Sequence, residues 1–248
     1  MNKTIRFLSV LSVVGISACS DPNVAQLATD VALLKRQQAE VLQKLNGIEA
    51  AVKGRPAVAP PPQVPQGPVT VSAKNASVLG DPTAPTVIVA WSDFQCPFCS
   101  KITPLVNSTL NDPEVKGKVA FVFKQFPLGF HKQALPAARA ALAAGRQGKF
   151  FEMHDKIFAN QAQLADDKYV VWAKELGLDV SKFERDVADP AIEAQIKADM
   201  EEGGKVGVRG TPSLYIGTKN GDTYTLNRAN ERTVEYFKQS VKELLQKK

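Results

Sequence analysis

The sequence predicts an α/β domain preceded by a long N-terminal helix, and three patterns support this fold class. First, two β-rich runs at residues 86–94 and 119–126 flank a helical pattern at 96–110, which indicates a β-α-β order. Second, helical patterns fill about residues 131–200, and a hairpin signal and a last amphipathic helix follow them. Third, apolar residues repeat in heptads over residues 24–52. The expected order is a helix, then β-α-β, a helical block, and β-β-α.

The composition fits one globular domain with additional segments. The chain has 248 residues, a formal net charge of +6 and an isoelectric point near 9.2. Its lysines and arginines are scattered and are not interleaved with aromatic residues, so they indicate a solvated basic surface. We therefore expect no nucleic-acid partner.

Residues 1–18 have the features of an export signal peptide. Lys3 and Arg6 precede a short apolar run that ends in small residues. The block "ISAC", which ends at Cys19, resembles the bacterial lipobox, in which the cysteine after the cleavage site is acylated. The alternative is ordinary cleavage after Ala18, which leaves Cys19 free, but Ile16 is bulky for that cleavage pattern.

Lipidation of Cys19 would anchor the chain to a membrane, because two or more acyl chains give stable attachment. Ser20 and Asp21 follow Cys19, so no aspartate lies directly beside it. By resemblance to the sorting rules of Gram-negative lipoproteins, this favours the outer membrane. The expected location is the periplasm, which is oxidising, and Cys96 and Cys99 remain as the only cysteines of the folded domain.

Residues 19–53 are predicted to form the lipidated N-terminus and a coiled-coil helix that joins copies of the chain. The apolar heptad positions are Val24, Leu27, Val31, Leu34, Val41, Leu45, Ile48 and Val52. In a parallel pair, Asp30 would face Lys35 and Lys44 would face Glu49, which favours self-association. Gln38 interrupts the apolar positions, so a dimer and a trimer both remain open. The alternative is a single amphipathic helix that folds onto the domain.

A proline-rich linker is predicted at residues 54–69, and the folded domain at residues 70–248. The stretch "GRPAVAPPPQVPQGP" cannot form a helix or a central strand, and it is typical of a semi-rigid polyproline spacer.

The pair Cys96 and Cys99 has three possible interpretations: a zinc site, a structural disulfide or a redox centre. Zinc needs four ligands, but the chain has no second cysteine pair, and its two histidines, His131 and His154, are far apart. We therefore expect no metal. A disulfide that closes so small a loop restrains little of the unfolded chain, so a structural bridge is disfavoured.

The redox interpretation is supported by the position of the pair, which follows a buried strand and opens a predicted helix. A helix N-terminus stabilises a thiolate, and Pro97 suits a first helical turn. Cys96 is expected to be the exposed attacking thiolate and Cys99 the buried thiol that resolves the mixed disulfide.

The segments "DPTAPTVIVAWSDFQCPFC", "FKQFPLGFH", "GKFFEMHDKIF" and "GTPSLYI" resemble the thioredoxin superfamily, and the helical insertion resembles its DsbA-like branch of thiol:disulfide oxidoreductases. The resemblance covers about residues 75–245 and implies a thioredoxin fold with no cofactor. It also implies that Pro212, after Thr211, is a cis-proline facing the active cysteines, and that the backbone there pairs with substrate.

Two residues depart from that family. Many relatives carry a buried carboxylate where this chain has Ala90, and strand alternation places Asp93 on the other face from Ala90. The most oxidising relatives carry histidine where this chain has Phe98, so we predict a milder oxidant. We interpret His131 as a surface histidine at a helix start, although it could approach the active site.

The predicted function is disulfide exchange in exported proteins, with isomerase activity favoured for two reasons. Several active sites on one oligomer raise the local concentration around one misfolded substrate. Thr211 before the proline also resembles isomerases and reductases of the superfamily. The alternatives are an oxidase without isomerase activity, and a non-catalytic oligomeric holdase. Expected partners are unfolded or misoxidised exported proteins and a membrane redox partner.

Overall fold

The computed structural model describes residues 22–53, 65 and 67–247, which fall into two units: an N-terminal helix and a folded domain. The helices are α1 (Pro22–Lys53), α2 (Ile102–Asn111), α3 (Ala134–Gly145), α4 (Phe150–Ala159), α5 (Asp166–Glu175), α6 (Val180–Val187), α7 (Pro190–Lys205) and α8 (Val234–Gln246). The strands are β1 (Val69–Ser72), β2 (Ser77–Leu79), β3 (Thr86–Ser92), β4 (Val119–Gln125), β5 (Ser213–Asn220) and β6 (Thr223–Arg228). A short 3₁₀ helix spans Gln161–Gln163.

The domain is built on a six-stranded mixed sheet with the order β1-β6-β5-β3-β4-β2. Strand β3 lies near the centre, parallel to β4 and antiparallel to β5. Every residue of β3 and β4 is buried, because the central strands are covered on both faces. This burial explains why their sequences are continuous apolar runs. The predicted β-α-β unit, hairpin and final helix are all present.

Strands β1 and β2 were not predicted from the sequence. They have four and three residues, and each completes an edge of the sheet by antiparallel pairing, β1 with β6 and β2 with β4. Segments this short carry too few alternating positions to give a periodic signal. Strand β1 begins at Val69, the last residue of the predicted linker.

The two faces of the sheet have separate cores. On the front face, β3 residues Ile88 and Ala90 join a large cluster that contains both cysteines of the motif. On the back face, Trp91 packs edge-on against Tyr215 and donates its indole N–H to the carbonyl of Asp199 on α7 at 2.9 Å. Lys124, also on this face, is buried and pairs with Asp199 and Glu202. The back face thus holds α7 against the sheet.

Helices α3 to α7 form the insertion between β4 and β5, as the helical patterns predict. Helix α3 buries seven alanines, whose small side chains allow the neighbouring helices to approach closely. Side chains of Asp179 and Asp189 cap α6 and α7 by accepting backbone N–H groups. The helical spacing of Phe150, Phe151, Phe158 and Trp172 predicts core positions; Phe150, Phe158 and Trp172 are buried, and Phe151 is partly buried against the same core.

Helix α1 exposes its described side chains along its whole length. Those of Leu27, Leu34 and Ile48 are more than 60% exposed. No helix in the described part of the chain is long and apolar enough to cross a membrane. Cys19, the predicted signal peptide and most of the predicted linker lie outside the described residues.

Candidate active site

The two cysteines lie in consecutive tight turns between β3 and α2. The Cys99 N–H donates to the carbonyl of Cys96 at 3.0 Å, and the Ile102 N–H donates to the carbonyl of Cys99 at 3.0 Å. In both turns the N–H bonds the carbonyl three residues earlier, and both precede the α-helix. The helix begins at Ile102, whereas the sequence predicts a start at Cys96. Pro104 explains the difference, because it has no N–H to donate to the carbonyl four residues earlier and so fits only the first turn of the helix.

Cys96 is buried, and the expectation of an exposed thiol is therefore wrong. Only 4% of the residue is exposed. Its Sγ lies 3.5 Å from the carbonyl oxygen of Thr211, and the Thr211–Pro212 peptide bond is cis. A loop distant in sequence thus covers the first cysteine and places a backbone acceptor on it.

The two residues between the cysteines face solvent. Pro97 is exposed, and Phe98 is 61% exposed although it is aromatic. The ammonium group of Lys101 lies 5.4 Å from the centre of the Phe98 ring. The surface around the motif is therefore apolar at Phe98 and carries a cation beside it.

Cys99 is more deeply buried, as predicted for the second cysteine, with 1% of the residue exposed. Burial raises the pKa of the Cys99 thiol to about 12, and the neighbouring Cys96 adds to this rise. The Ser92 side chain and the Asp93 backbone N–H act in the opposite direction and lower this pKa. The Asp93 nitrogen lies 3.5 Å from the Cys99 sulfur. Both cysteines are free thiols in this structure.

Asp93 connects the motif to the loop that follows β4. Its buried carboxylate accepts the N–H of Gln95 at 2.7 Å, the N–H of Leu128 at 2.9 Å and a contact of 2.7 Å from Nδ1 of His131. His131 is thus mostly buried beside the motif, and its interpretation as a surface histidine is wrong. The carboxylate points to this loop, in line with the expectation that it lies apart from Ala90.

The helical insertion also contacts the motif. Nε2 of Gln161, in the 3₁₀ helix, donates to the carbonyls of Phe94 at 2.8 Å and Cys96 at 3.0 Å. The side-chain oxygen of Gln95 accepts the N–H of Gln133, just before α3, at 2.7 Å. The turn that carries Cys96 is therefore held by hydrogen bonds from two parts of the insertion.

Ala90 is buried in the same core cluster as Cys99. The buried side-chain amide of Gln125, on the neighbouring strand β4, has no hydrogen-bond partner among the described residues. No group of three potential metal-ligating side chains occurs within residues 22–53 and 67–247.

Sequence reasoning identified Cys96, Cys99, Thr211 and Pro212, which the fold brings together. It missed Ser92 and Gln161, and it did not pair Asp93 with His131. For Ser92 a signal was available, because two polar residues, Ser92 and Asp93, stand at the end of a buried strand. The contacts of Gln161 and His131 span 65 and 38 residues and left no local pattern.

Comparison with known proteins identifies the domain. The sequence model of the Thioredoxin family matches residues 72–242. The chain is 32% identical over 171 residues to the "Na(+)/H(+) antiporter NhaA 1" of Salinispora arenicola. The matched segment is 68% of this chain and 26% of the relative. The chain therefore spans about a quarter of this curated relative.

Solved structures share the domain fold. A thioredoxin-like oxidoreductase from Silicibacter pomeroyi superposes with a TM-score of 0.58 at 27% identity, over 71% of this chain and 94% of the other. The thiol-disulfide exchange protein alpha-DsbA2 from Wolbachia pipientis superposes with a TM-score of 0.58 at 24% identity, over 69% and 88% of the two chains. The predicted thioredoxin fold and the resemblance to DsbA-like proteins are thereby confirmed.

Proposed function

The chain belongs to the thioredoxin family, and from that premise we propose that it is a thiol:disulfide oxidoreductase that exchanges disulfides in exported proteins through Cys96 and Cys99. The proposal rests on one observation: Cys96 Sγ contacts the Thr211 carbonyl, beside the cis-proline Pro212 and the buried thiol of Cys99. This arrangement supplies an attacking sulfur, a resolving sulfur and a backbone acceptor next to the reacting atoms.

Each cysteine has one role in the proposed exchange. The Cys96 thiolate attacks a sulfur of the substrate disulfide, forms a mixed disulfide and releases the other substrate sulfur. Cys99 then attacks the Cys96 sulfur, which closes the Cys96–Cys99 disulfide and releases the reduced substrate. The reverse sequence oxidises a substrate dithiol. Pro97 and Phe98 tune the reactivity of this pair from the two positions between the cysteines.

Thr211 and Pro212 are the proposed substrate-binding residues. The backbone at this loop lies beside the Cys96 sulfur, where an extended segment of substrate could add as a short strand. Main-chain pairing of this kind is independent of substrate sequence, which suits a protein that acts on unfolded or misoxidised partners. A membrane protein would restore the redox state of the pair.

We propose isomerase activity through self-association of helix α1. The exposed apolar positions of α1 follow a heptad pattern, and Asp30 and Lys35 are placed to attract one another between parallel copies. A dimer or trimer would present two or three cysteine pairs to one substrate and raise their effective concentration. The "ISAC" block at Cys19 supports a periplasmic, lipid-anchored protein, with the outer membrane favoured.

The test uses the full chain and a substrate protein with scrambled disulfides. We expect Cys96→Ala to abolish both glutathione exchange and refolding of the substrate, and Cys99→Ala to accumulate mixed disulfides. Refolding without net oxidation supports an isomerase. Net oxidation without rearrangement would indicate the oxidase. Equal suppression of aggregation by wild type and Cys96→Ala, with no exchange by either, would replace the proposal with a holdase.

A further inference from the structure

We infer that Arg232 is a positioning residue of the proposed exchange: it holds the loop of Thr211 and Pro212, so that the Thr211 backbone stays aligned with the Cys96 sulfur and with an incoming substrate strand. The inference rests on the proposed function and deepens it, because it concerns the step in which a protein substrate meets the first cysteine. Arg232 acts through the loop and not on the sulfur itself.

One peptide group in the loop between α7 and β5 lies beside the reacting atoms. The Thr211 carbonyl oxygen is 3.5 Å from Cys96 Sγ, and β5 begins two residues later at Ser213. A substrate strand that pairs with this backbone would have its disulfide placed by the same peptide group. The orientation of Thr211 therefore determines how well a bound substrate is aligned for attack.

The carbonyl groups on both sides of Thr211 are held by side chains. The hydroxyl of Ser213, a buried residue, donates to the Gly210 carbonyl at 2.7 Å. The Arg232 guanidinium donates to the Pro212 carbonyl at 3.0 Å, from a position 20 residues further along the chain. Thr211 is thus held by one contact from within the loop and β5, and by a second contact from another part of the domain.

The backbone that carries Arg232 is itself fixed on both sides. Arg232 lies between the end of β6 and the start of α8. Before it, the Ala229 N–H donates to the Leu214 carbonyl at 2.9 Å. After it, the Thr233 hydroxyl caps α8 by accepting the Tyr236 N–H at 3.1 Å. The guanidinium therefore reaches the loop from a defined starting point.

The chemistry of this contact suits arginine. Pro212 is buried, and a buried carbonyl without a partner is unfavourable. A guanidinium is always charged and planar, so its N–H groups point in fixed directions. A hydrogen bond from a charged donor is also about twice as strong as one between neutral groups. Loss of this bond should let the Pro212 peptide group move, and the neighbouring Thr211 with it.

Arg228 provides a matched control. It is also exposed, and it donates to a carbonyl of the same loop, that of Gly207, at 3.4 Å. Gly207 lies four positions before Thr211, whereas Pro212 is covalently bonded to Thr211. Substitution of either arginine by methionine removes one positive charge and one hydrogen bond to the loop. Only the change at Arg232 removes the contact beside Thr211.

The experiment compares two probes that share a leaving group. In one probe, thionitrobenzoate is disulfide-bonded to the cysteine of an unfolded peptide, which can pair along its main chain. In the other it is bonded to cysteamine, which has no peptide backbone. Attack by Cys96 of the reduced full chain releases the coloured thionitrobenzoate, so its absorbance reports only the first step of the exchange. The measured quantity is the rate with the peptide divided by the rate with cysteamine.

Arg232→Met should slow attack on the peptide about three- to tenfold, the factor that one hydrogen bond contributes, and change attack on the cysteamine probe less than about twofold. Arg232→Lys keeps a charged donor and should recover part of the rate. Ser213→Ala removes the other contact beside Thr211 and should lower the same ratio. Arg228→Met should keep the wild-type ratio.

The opposing outcomes are distinct. An unchanged ratio in Arg232→Met, or an equal fall in Arg228→Met, overturns the inference. Equal slowing with both probes also overturns it, because it would show a general effect on the fold or on Cys96. If circular dichroism shows that methionine unfolds the domain, Arg232→Gln takes its place and is judged by the same ratio. Failure of the wild type to release thionitrobenzoate from either probe would instead contradict the proposed function.

Discussion

Helix α1 and strand β3 are both rich in apolar residues, but they bury them differently. All seven residues of β3 are buried, between the two core clusters of the sheet. In α1, eight large apolar side chains are 41–63% exposed, among them Val31 and Leu34 of the heptad positions. The domain therefore buries its central strand within one chain, whereas α1 leaves its described large apolar side chains exposed. This contrast is the basis for the proposed division of the chain into a chemical unit, the domain, and an association unit, helix α1.

The largest expected effect comes from breaking the core of the chemical unit. Ile88 is fully buried in β3 and lies opposite Phe121 on one side and Ile216 on the other. Ile88→Ala should lower the free energy of unfolding by about 2–5 kcal/mol, because it deletes buried apolar volume and leaves a cavity. Urea unfolding followed by circular dichroism measures this. Val171→Ala, at a position 47% exposed on the domain surface, is the control and should change little.

Substitution of Asp93 measures how much the hydrogen bonds to its carboxylate stabilise the domain, for comparison with the apolar packing of the sheet. Asp93→Ala leaves the partly buried N–H groups of Gln95 and Leu128 without their acceptor, which should cost about 1–3 kcal/mol of unfolding free energy. Asp81→Ala is the matched control, since that carboxylate accepts the Thr83 N–H at an exposed turn. Equal losses in the two variants would contradict a special role for Asp93.

The association unit is tested by two adjacent leucines. Leu34 lies at a heptad d position and Leu33 lies outside the seam, and both are more than half exposed in the chain alone. Leu34→Glu should weaken self-association by at least about tenfold, since it places a charge in an apolar seam, and Leu33→Glu should not. Sedimentation equilibrium measures the association.

The same two variants separate the activities. Leu34→Glu should lower the refolding of a scrambled substrate and leave glutathione exchange unchanged. A parallel loss of both activities, or no difference between the two leucines, would contradict the division into two units.

The smallest expected effect lies at the surface of the domain. Glu114, in the segment after α2, contacts Lys238 and Lys242 on α8. Hydrogen bonds from these lysines lower the pKa of Glu114 from 4.5 to about 2. Its contribution to stability is therefore present above the unfolded pKa of 4.5 and is lost as pH falls through about 2.

A comparison of thermal unfolding between pH 5 and pH 2 checks this expectation. Glu114→Gln should flatten part of the acid slope of the melting temperature. Glu231→Gln, an exposed acid of the same domain, is the control and should keep the wild-type slope. An unchanged slope in Glu114→Gln would show that these contacts are neutral, and added salt should reduce any effect because the site is exposed.

The parts of the fold that the sequence predicts are those with long local patterns. Strands β3 and β4 are buried runs of seven residues, and the hairpin of β5 and β6 contains its own turn signal. The parts that it does not predict depend on partners elsewhere. Cys96 is buried because Thr211, 115 residues later, lies on it, and His131 is mostly buried because its ring nitrogen contacts the Asp93 carboxylate.

The start of α2 shows a second limit of sequence patterns. Hydrophobic periodicity does not distinguish consecutive three-residue turns from the first turn of a helix, so the helix was placed six residues too early. The position of Pro104 indicates where the helix begins, because proline fits only the first turn. Periodicity is read over many residues and does not locate the first turn.

The contacts of Gln161 have a mechanical consequence. This side chain binds the carbonyl of Cys96 itself, so the helical insertion and the sheet are joined at the backbone of the reacting residue. A displacement of the insertion relative to the sheet would therefore act directly on the backbone of Cys96. Tension on a substrate that is covalently bound at Cys96 would in turn be resisted by this hydrogen bond from the insertion.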